Sequence, residues 1–334
     1  MNLRYLEELC ALPGVSGHED AVRDWIELHL PADCSYRTDR LGNLIVTKAG
    51  AKAPCFTVLF AHMDEVGFIV TDTAEDGFLH FDTVGGIDKQ SVIGKRLQFG
   101  ERIGVVGIKP THLCKGAEGE SIPDIPSMYI DMAGETSIER GDVLTFPVGF
   151  TRFGEGYIRS KALDDRLGCL SLLELLCADD LPYALTCVFS AREEIGGAAA
   201  GAAYALRPDS AIVAETTTAA DLPTVEGAER VCALGKGAVV PFMDKGTLYP
   251  KHLYDLAYKT AAANSIPIQT KTKIAGGNDA RGVTASGCGV PTITVSVPCR
   301  YLHGPSVVAK ESDCEAASAL IRLLWERMSA GDEL

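Results

Sequence analysis

Polar and apolar residues alternate along this chain with a period that changes twice, first from helical to strand-like and back, then through a long stretch with no helical repeat. The opening residues predict a helix over about Leu3 to Ala11, stopped by Leu12-Pro13-Gly14. Val22, Trp25, Ile26 and Leu30 then recur at helical intervals behind Ser16-Gly17-His18-Glu19. That tetrad has the spacing of a capping box, so a second helix is predicted to begin at Ser16. After the turn Arg40-Leu41-Gly42-Asn43 comes a strand from Leu44 to Lys48, and after Lys52-Ala53-Pro54 the run Cys55 to Ala61. The run is apolar on both faces, which predicts a central strand covered by helices on each side.

From about Val66 to Ser160 the pattern becomes short β-rich segments between Gly and Pro, such as Gly104 to Ile108, Met128 to Met132 and Asp142 to Phe146. This texture predicts a small barrel or sandwich inserted into the surrounding fold. The α/β alternation returns at Asp165 with a helix to about Ala178, the strand Leu185 to Ala191, a helix near Gly197 to Leu206 and the strand Ala211 to Ala214. A helix from about Lys251 to Ala263, the strand Thr292 to Val297 and a terminal helix from Ser312 follow. The expected fold is α/β: a doubly wound, mixed-sheet domain of residues 1–65 and 161–334, with a β-barrel-like domain, 66–160, inserted in it.

Composition narrows the partners. At 334 residues and 46% hydrophobic content the chain can fill a substantial core. A net charge of −14 argues against nucleic acid and against an anionic membrane surface. No apolar stretch approaches the roughly 20 residues of a membrane-spanning helix, and the first residues lack a signal-peptide pattern, so a cytoplasmic protein is expected. Eleven cysteines without a C-x-x-C pair indicate neither a disulfide framework nor a thiolate zinc knuckle.

The chemistry concentrates at the ends of the predicted strands. His62 and Asp64 close the run Cys55 to Ala61, and a spacing of two in extended backbone points both to one side. One can bind a metal while the other steers it, and Asp64 suits the steering role. Asp164-Asp165 lies in a strand-to-helix connection, where open α/β sheets place their ligand sites. Asp164 could bridge two cations there, and Asp165 could cap the helix. Glu193-Glu194 precedes Gly196-Gly197, and neighbouring carboxylates on divergent directions can divide two tasks, coordination and proton transfer. Glu215 ends one strand and His303 follows another. Together they complete one imidazole and one terminal carboxylate for each of two metals with Asp164 shared, an inventory suited to zinc or cobalt. His18, His29, His80, His112 and His252 carry no assigned role, and Asp279, in Gly276 to Arg281, is read first as a helix cap.

At these residues the chain resembles the M42 family of metallo-aminopeptidases, the glutamyl and tetrahedral aminopeptidase group once also called cellulase M. The matching blocks are Gly14 to Glu19, His62 to Gly67, Lys161 to Gly168, Glu193 to Gly197, Gly276 to Ala280 and Pro298 to Pro305, in the family's order. The resemblance implies two divalent cations per subunit, one on His62 and Glu215, the other on Glu194 and His303, with Asp164 between them. It implies Glu193 as general base, Asp64 as the support of His62 and a cis Asp164-Asp165 peptide. It also implies peptide substrates cut at the first residue, and an inserted domain that builds dimers into a dodecamer. Two departures stand out: Glu215 where Asp is common, and Asn278 where Thr or Ser is common. A metal-independent glycosidase and a non-catalytic oligomeric scaffold are the rival readings; the first leaves both histidines idle, and the second sits badly with a complete ligand set.

Overall fold

A computed structural model of the chain describes residues 1–332 apart from 75–76, 117–119 and 135–136. The chain opens with α1 (Leu3–Ala11), α2 (Asp20–Leu28), β1 (Cys34–Thr38), β2 (Leu44–Lys48) and β3 (Thr57–His62). The middle segment carries β4 (Gly67–Thr73), β5 (Phe78–Val84), β6 (Arg96–Phe99), β7 (Arg102–Gly107), β8 (Tyr129–Asp131), β9 (Val143–Leu144), β10 (Thr151–Phe153) and β11 (Tyr157–Ser160). Then come α3 (Leu163–Leu176), β12 (Leu185–Ser190), α4 (Ala199–Leu206), β13 (Ser210–Thr218), β14 (Ala238–Val240), α5 (Lys251–Ala263) and β15 (Ile268–Thr270). The chain closes with α6 (Ala280–Thr284), β16 (Thr292–Cys299), β17 (Val307–Lys310) and α7 (Glu311–Ala330).

Eight strands form the main sheet in the order β1-β2-β12-β3-β13-β16-β14-β15. Its centre, β12, β3, β13 and β16, is parallel, and antiparallel pairs join it to β2 on one side and β14 on the other. Every residue of β3, β12 and β16 is buried, as both-sided coverage by helices requires. The helices α1, α3, α7 and α5 pack in succession as one group, while α4 packs with α6 as another against β12, β13 and β16. The fold is therefore α/β and doubly wound around a mixed sheet.

The middle segment makes a second sheet, β6-β7-β8-β5-β4-β9, whose two ends meet through paired hydrogen bonds between Gln98 and Thr145 at 2.8 and 3.0 Å. That bridge closes the sheet into a small barrel. The barrel has its own core, in which Phe68 meets Phe81 and Phe146 edge to face at 5.7 and 5.2 Å. Burying each ring contributes about 1.5–3 kcal/mol to a core separate from that of the main sheet. A third, three-stranded sheet, β10-β11-β17, ties residues 151–160 back to the strand that leads into α7.

One expected boundary is corrected. Helix α2 starts at Asp20 rather than Ser16 and has no side-chain cap. Gly17 at φ 87 turns the chain out of the helical path, and the Ser16 hydroxyl donates to Asp64 at 2.6 Å instead. Glu19, the other half of the expected box, accepts from the backbone N–H of Gly17 and of Arg192.

Candidate metal centre

The parallel strands β3, β12, β13 and β16 end at one edge of the main sheet, and the singled-out residues collect there. Val213 pairs with Phe60, and carrying that register forward two residues sets Glu215 beside His62, both at the same level of the sheet. His62 is 2% exposed, and its Nδ1 faces the Asp64 carbonyl at 3.2 Å and the Asp64 carboxylate at 3.3 Å. Both neighbours are acceptors, so Nδ1 carries the proton and Nε2 is left free.

Asp64 does more than orient one ring. Besides His62 it accepts from the Ser16 hydroxyl at 2.6 Å, the Glu193 N–H at 3.0 Å and the Glu194 N–H at 3.1 Å. A single buried carboxylate thereby fixes both the imidazole and the short 3-10 turn Glu193–Ile195 that carries two more acids. The glycines after that turn permit it: Gly197 sits at φ 75, and a Cβ there would come within 2.7 Å of Asp279 Oδ1.

The Asp164-Asp165 peptide, at the head of α3, is cis. Asp164 Oδ1 lies 3.4 Å from His62 Nε2, and Asp164 Oδ2 lies 3.4 Å from His303 Nε2. Glu215 Oε1 stands 3.6 Å from His62 Nε2, and Glu194 Oε2 stands 3.4 Å from His303 Nε2. His303 sits on a turn at φ 58, with Nδ1 donating to the Gly86 carbonyl at 2.7 Å, so a backbone oxygen of the middle segment sets its tautomer.

Two donor sets emerge, His62 with Asp165 and Glu215, and Asp164 with Glu194 and His303, the atoms of each within 4.8 Å of one another. Separations of 3.4 to 3.6 Å exceed good hydrogen bonds. They match the edge of a tetrahedron of nitrogen and oxygen around a cation with bonds near 2.0–2.1 Å, about 3.4 Å. Asp164 Oδ1 and Asp165 Oδ2 are buried with no hydrogen-bond partner among the described residues. The residues present therefore fit divalent cations.

Electrostatics agree. Burial pushes Glu193 up to about 10, Glu194 to about 8 and Glu215 to about 7, with neighbouring acids adding and the imidazoles opposing. Burial, then Glu215, lifts Asp165 well above the carboxylate range. Burial would raise Asp164 as well, but His303 and His62 hold it far below. Burial works against a charged His62, yet Glu215, Asp164 and Asp64 raise it well above the usual imidazole range, and Asp164 and Glu194 raise His303 to about 9. Six carboxyl groups against two imidazoles make a site short of positive charge.

All seven residues singled out for the site, His62, Asp64, Asp164, Glu193, Glu194, Glu215 and His303, come together here. Among the described residues none of the five histidines left without a role lines the cavity. The capping expectation for Asp279 is corrected: it makes no cap bond, and its Oδ2 accepts from Ser190 at 2.5 Å behind Glu193. Asp165 accepts the Gly168 N–H at 3.0 Å, as a cap does, while its other oxygen turns to the His62 set. That second task, the Ser16 hydroxyl and the Gly86 carbonyl escaped the sequence reading. Only the adjacency of Asp165 to Asp164 hinted at any of them.

A family model described as M42 glutamyl aminopeptidase matches residues 42–320. A lysyl aminopeptidase of Pyrococcus furiosus is 30% identical, with 98% of this chain and 97% of that protein covered. A glutamyl aminopeptidase of Lactococcus lactis is also 30% identical, over 96% of this chain and 94% of its own. Among solved structures, the TET1 peptidase of Pyrococcus horikoshii, described as assembling into a tetrahedron or a large octahedral shell, superposes with a TM-score of 0.84 at 28% identity, covering 96% of this chain and 98% of that one.

Proposed function

The chain belongs to the M42 glutamyl aminopeptidase family, whose members are divalent-metal hydrolases, and from that premise we propose that it releases the first residue of peptides at the centre described above. The observation that carries this is the Asp164 carboxylate, one oxygen 3.4 Å from His62 and the other 3.4 Å from His303. His62, Asp165 and Glu215 would hold one cation and Glu194 and His303 the other, with Asp164 shared. Bound there, divalent cations polarise a peptide carbonyl and make water acidic enough to attack at neutral pH. Imidazole nitrogen with carboxylate oxygen is a donor set for zinc or cobalt.

The chain's own groups supply the rest. Glu193 faces the cavity with no hydrogen bond fixing its carboxylate among the described residues; cations held beside it would counter the burial and neighbouring acids that push it up to about 10, and the carboxylate so freed would take the proton of the attacking water. It then returns that proton to the leaving amine. Asp64 keeps His62 and both glutamates in register, so that base and ligands hold one geometry. Opposed carboxylates for glycoside cleavage are not what the site offers, because its acids converge on the two imidazoles.

Residues 66–160 are proposed as an inserted dimerisation domain on a catalytic domain of 1–65 and 161–334, and the subunits as parts of a dodecamer. The closed barrel and the assembling structural relative support this. Eleven free cysteines suit a reducing, cytoplasmic setting. Among the described residues no helix is long and apolar enough to cross a membrane.

The test is hydrolysis of aminoacyl chromophores and of cellulose before and after chelation. Aminoacyl cleavage is expected to vanish with chelator and return with zinc or cobalt. Cellulose cleavage that survives chelator sinks the reading.

A further inference from the structure

The metal centre opens into a cavity of about 360 Å³, and a second cavity of about 530 Å³ adjoins it. Glu193, Gly277 and Asn278 line both. Among the described residues none of the proposed ligands lines the second, so Glu193 is the one group of the proposed reaction that it meets. Gly277 keeps the shared wall low. Its φ lies outside the left-handed region, and a Cβ on it would meet no atom within 4 Å. Neither backbone strain nor packing calls for glycine there, and a side chain would take up space on the wall between the cavities.

The reaction assigns each cavity its share of the peptide. Glu193 hands its proton to the leaving amine, which must come within about 2.6–3.2 Å of that carboxylate. The scissile carbonyl stays with the donor sets, so the chain after the amine leads from Glu193 away from them, into the second cavity. Its volume, taken as compact, is about 10 Å across, the reach of roughly three extended residues. Arg281, on the first turn of α6, is the only lysine or arginine of that wall among the described residues. The turn after Asp244 seats its stem: a Cβ on Gly246 would come within 2.9 Å of Arg281 Cδ, and the Gly246 N–H is itself fixed on Asp244 at 2.7 Å. The exposed guanidinium makes no hydrogen bond and no ion pair among the described residues. The wall offers it no anion either, because Asp279 is committed to Ser190 and Glu193 to the proton. A guanidinium seated by its stem and free at its head is a planar, two-pronged receptor for a carboxylate.

We propose that the second cavity holds the leaving part of short peptides and that Arg281 receives their C-terminal carboxylate. This rests on the aminopeptidase reading of the metal centre. A peptide that enters by its amino end carries a carboxylate at the other end whatever its sequence, so the contact selects for length and not for side chain. A leaving part of one to three residues brings that carboxylate to the cavity wall, and a longer one carries it past Arg281 into solvent, where the pairing is lost.

The experiment gives the zinc- or cobalt-loaded protein peptides that begin with whichever residue the wild type releases fastest from an aminoacyl chromophore. One, two, three or eight alanines follow, each peptide as the free acid and as the carboxamide. In the wild type, kcat/KM for the acid is expected to exceed that for the amide by about 3- to 10-fold at one or more of the three short lengths, between the effect of an exposed ion pair and of a two-pronged one. At eight alanines acid and amide should match. Arg281→Gln is expected to bring the short-chain ratio close to one, and Arg281→Lys to keep part of it. A ratio of one at every short length, equal ratios at all four lengths, no cleavage of the short peptides, or a ratio that Arg281→Gln leaves in place overturns the proposal. Should the variants not fold, the wild-type ratios decide alone. No release from any chromophore overturns the aminopeptidase reading and this proposal with it, an outcome distinct from release that ignores the carboxylate.

Discussion

His62, Asp165 and Glu215 belong to the main sheet and the head of α3, and they are 2%, 0% and 7% exposed. Glu194 and His303, by contrast, hang from a single 3-10 turn and a loop in left-handed backbone, and the His303 side chain is 35% exposed. The first set stands on two parallel strands and the head of α3, whose apolar residues belong to the main core. The second depends on a carbonyl at Gly86, which lies just beyond β5 of the barrel sheet. One half of the centre is thus preformed by the same burial that stabilises the fold, and the other is assembled where two parts of the chain meet. The difference teaches that cation affinity and control over it are placed on different elements.

Removing what the halves share should have the largest effect. Asp164→Ala is expected to strip cations from both, with turnover falling by more than the roughly 10²-fold typical of losing an outer ligand partner; metal content per subunit and kcat check it. Glu193→Gln should lower kcat by about 10²- to 10⁴-fold with metal content intact in both halves. Unchanged turnover there would move the base elsewhere.

The halves themselves separate next. In a chelator titration, the cation on the His303 side is expected to leave at least about 10-fold more readily than the one on the His62 side, and His303→Ala should leave one cation per subunit. Equal release would erase the distinction between the halves.

Acidity acts on both halves. A proton on a ligand must leave before a cation binds, so affinity rises with pH until the ligand is ionised. Burial lifts Glu194 to about 8 in the His303 half and Asp165 well above the carboxylate range in the His62 half, so falling pH should weaken cation binding in both, measured as the cation Kd from pH 6 to 9. The smallest effect belongs to Ser16→Ala, which removes one charged hydrogen bond at Asp64 and should cost about 1.5–3 kcal/mol in denaturant unfolding, with both halves loosened alike.

Much of the centre was readable because its ligands stand where apolar runs stop. Cys55 to Ala61 ends on His62, and Ala211 to Ala214 ends on Glu215. A strand buried on both faces has no reason to close on a charged group unless that group meets something at the sheet edge. What escaped were groups whose role comes from a partner far along the chain. Ser16 looked like a cap because the spacing allowed it, but Asp64, 48 residues on, takes its hydroxyl. Asp279 looked like a cap for the same reason, and Ser190 takes its carboxylate.

By itself the sequence determined the alternation of strands and helices, the β-rich middle segment and the identity of the acids and imidazoles, because periodicity and residue chemistry are local properties. Tertiary structure alone decided that Asp165 shares the His62 set and that a barrel carbonyl orients His303. Those facts depend on register, closure and the direction of single oxygen atoms, which no spacing along the chain encodes, because they arise only when distant segments are pressed together and each buried polar group must find a partner or a ligand.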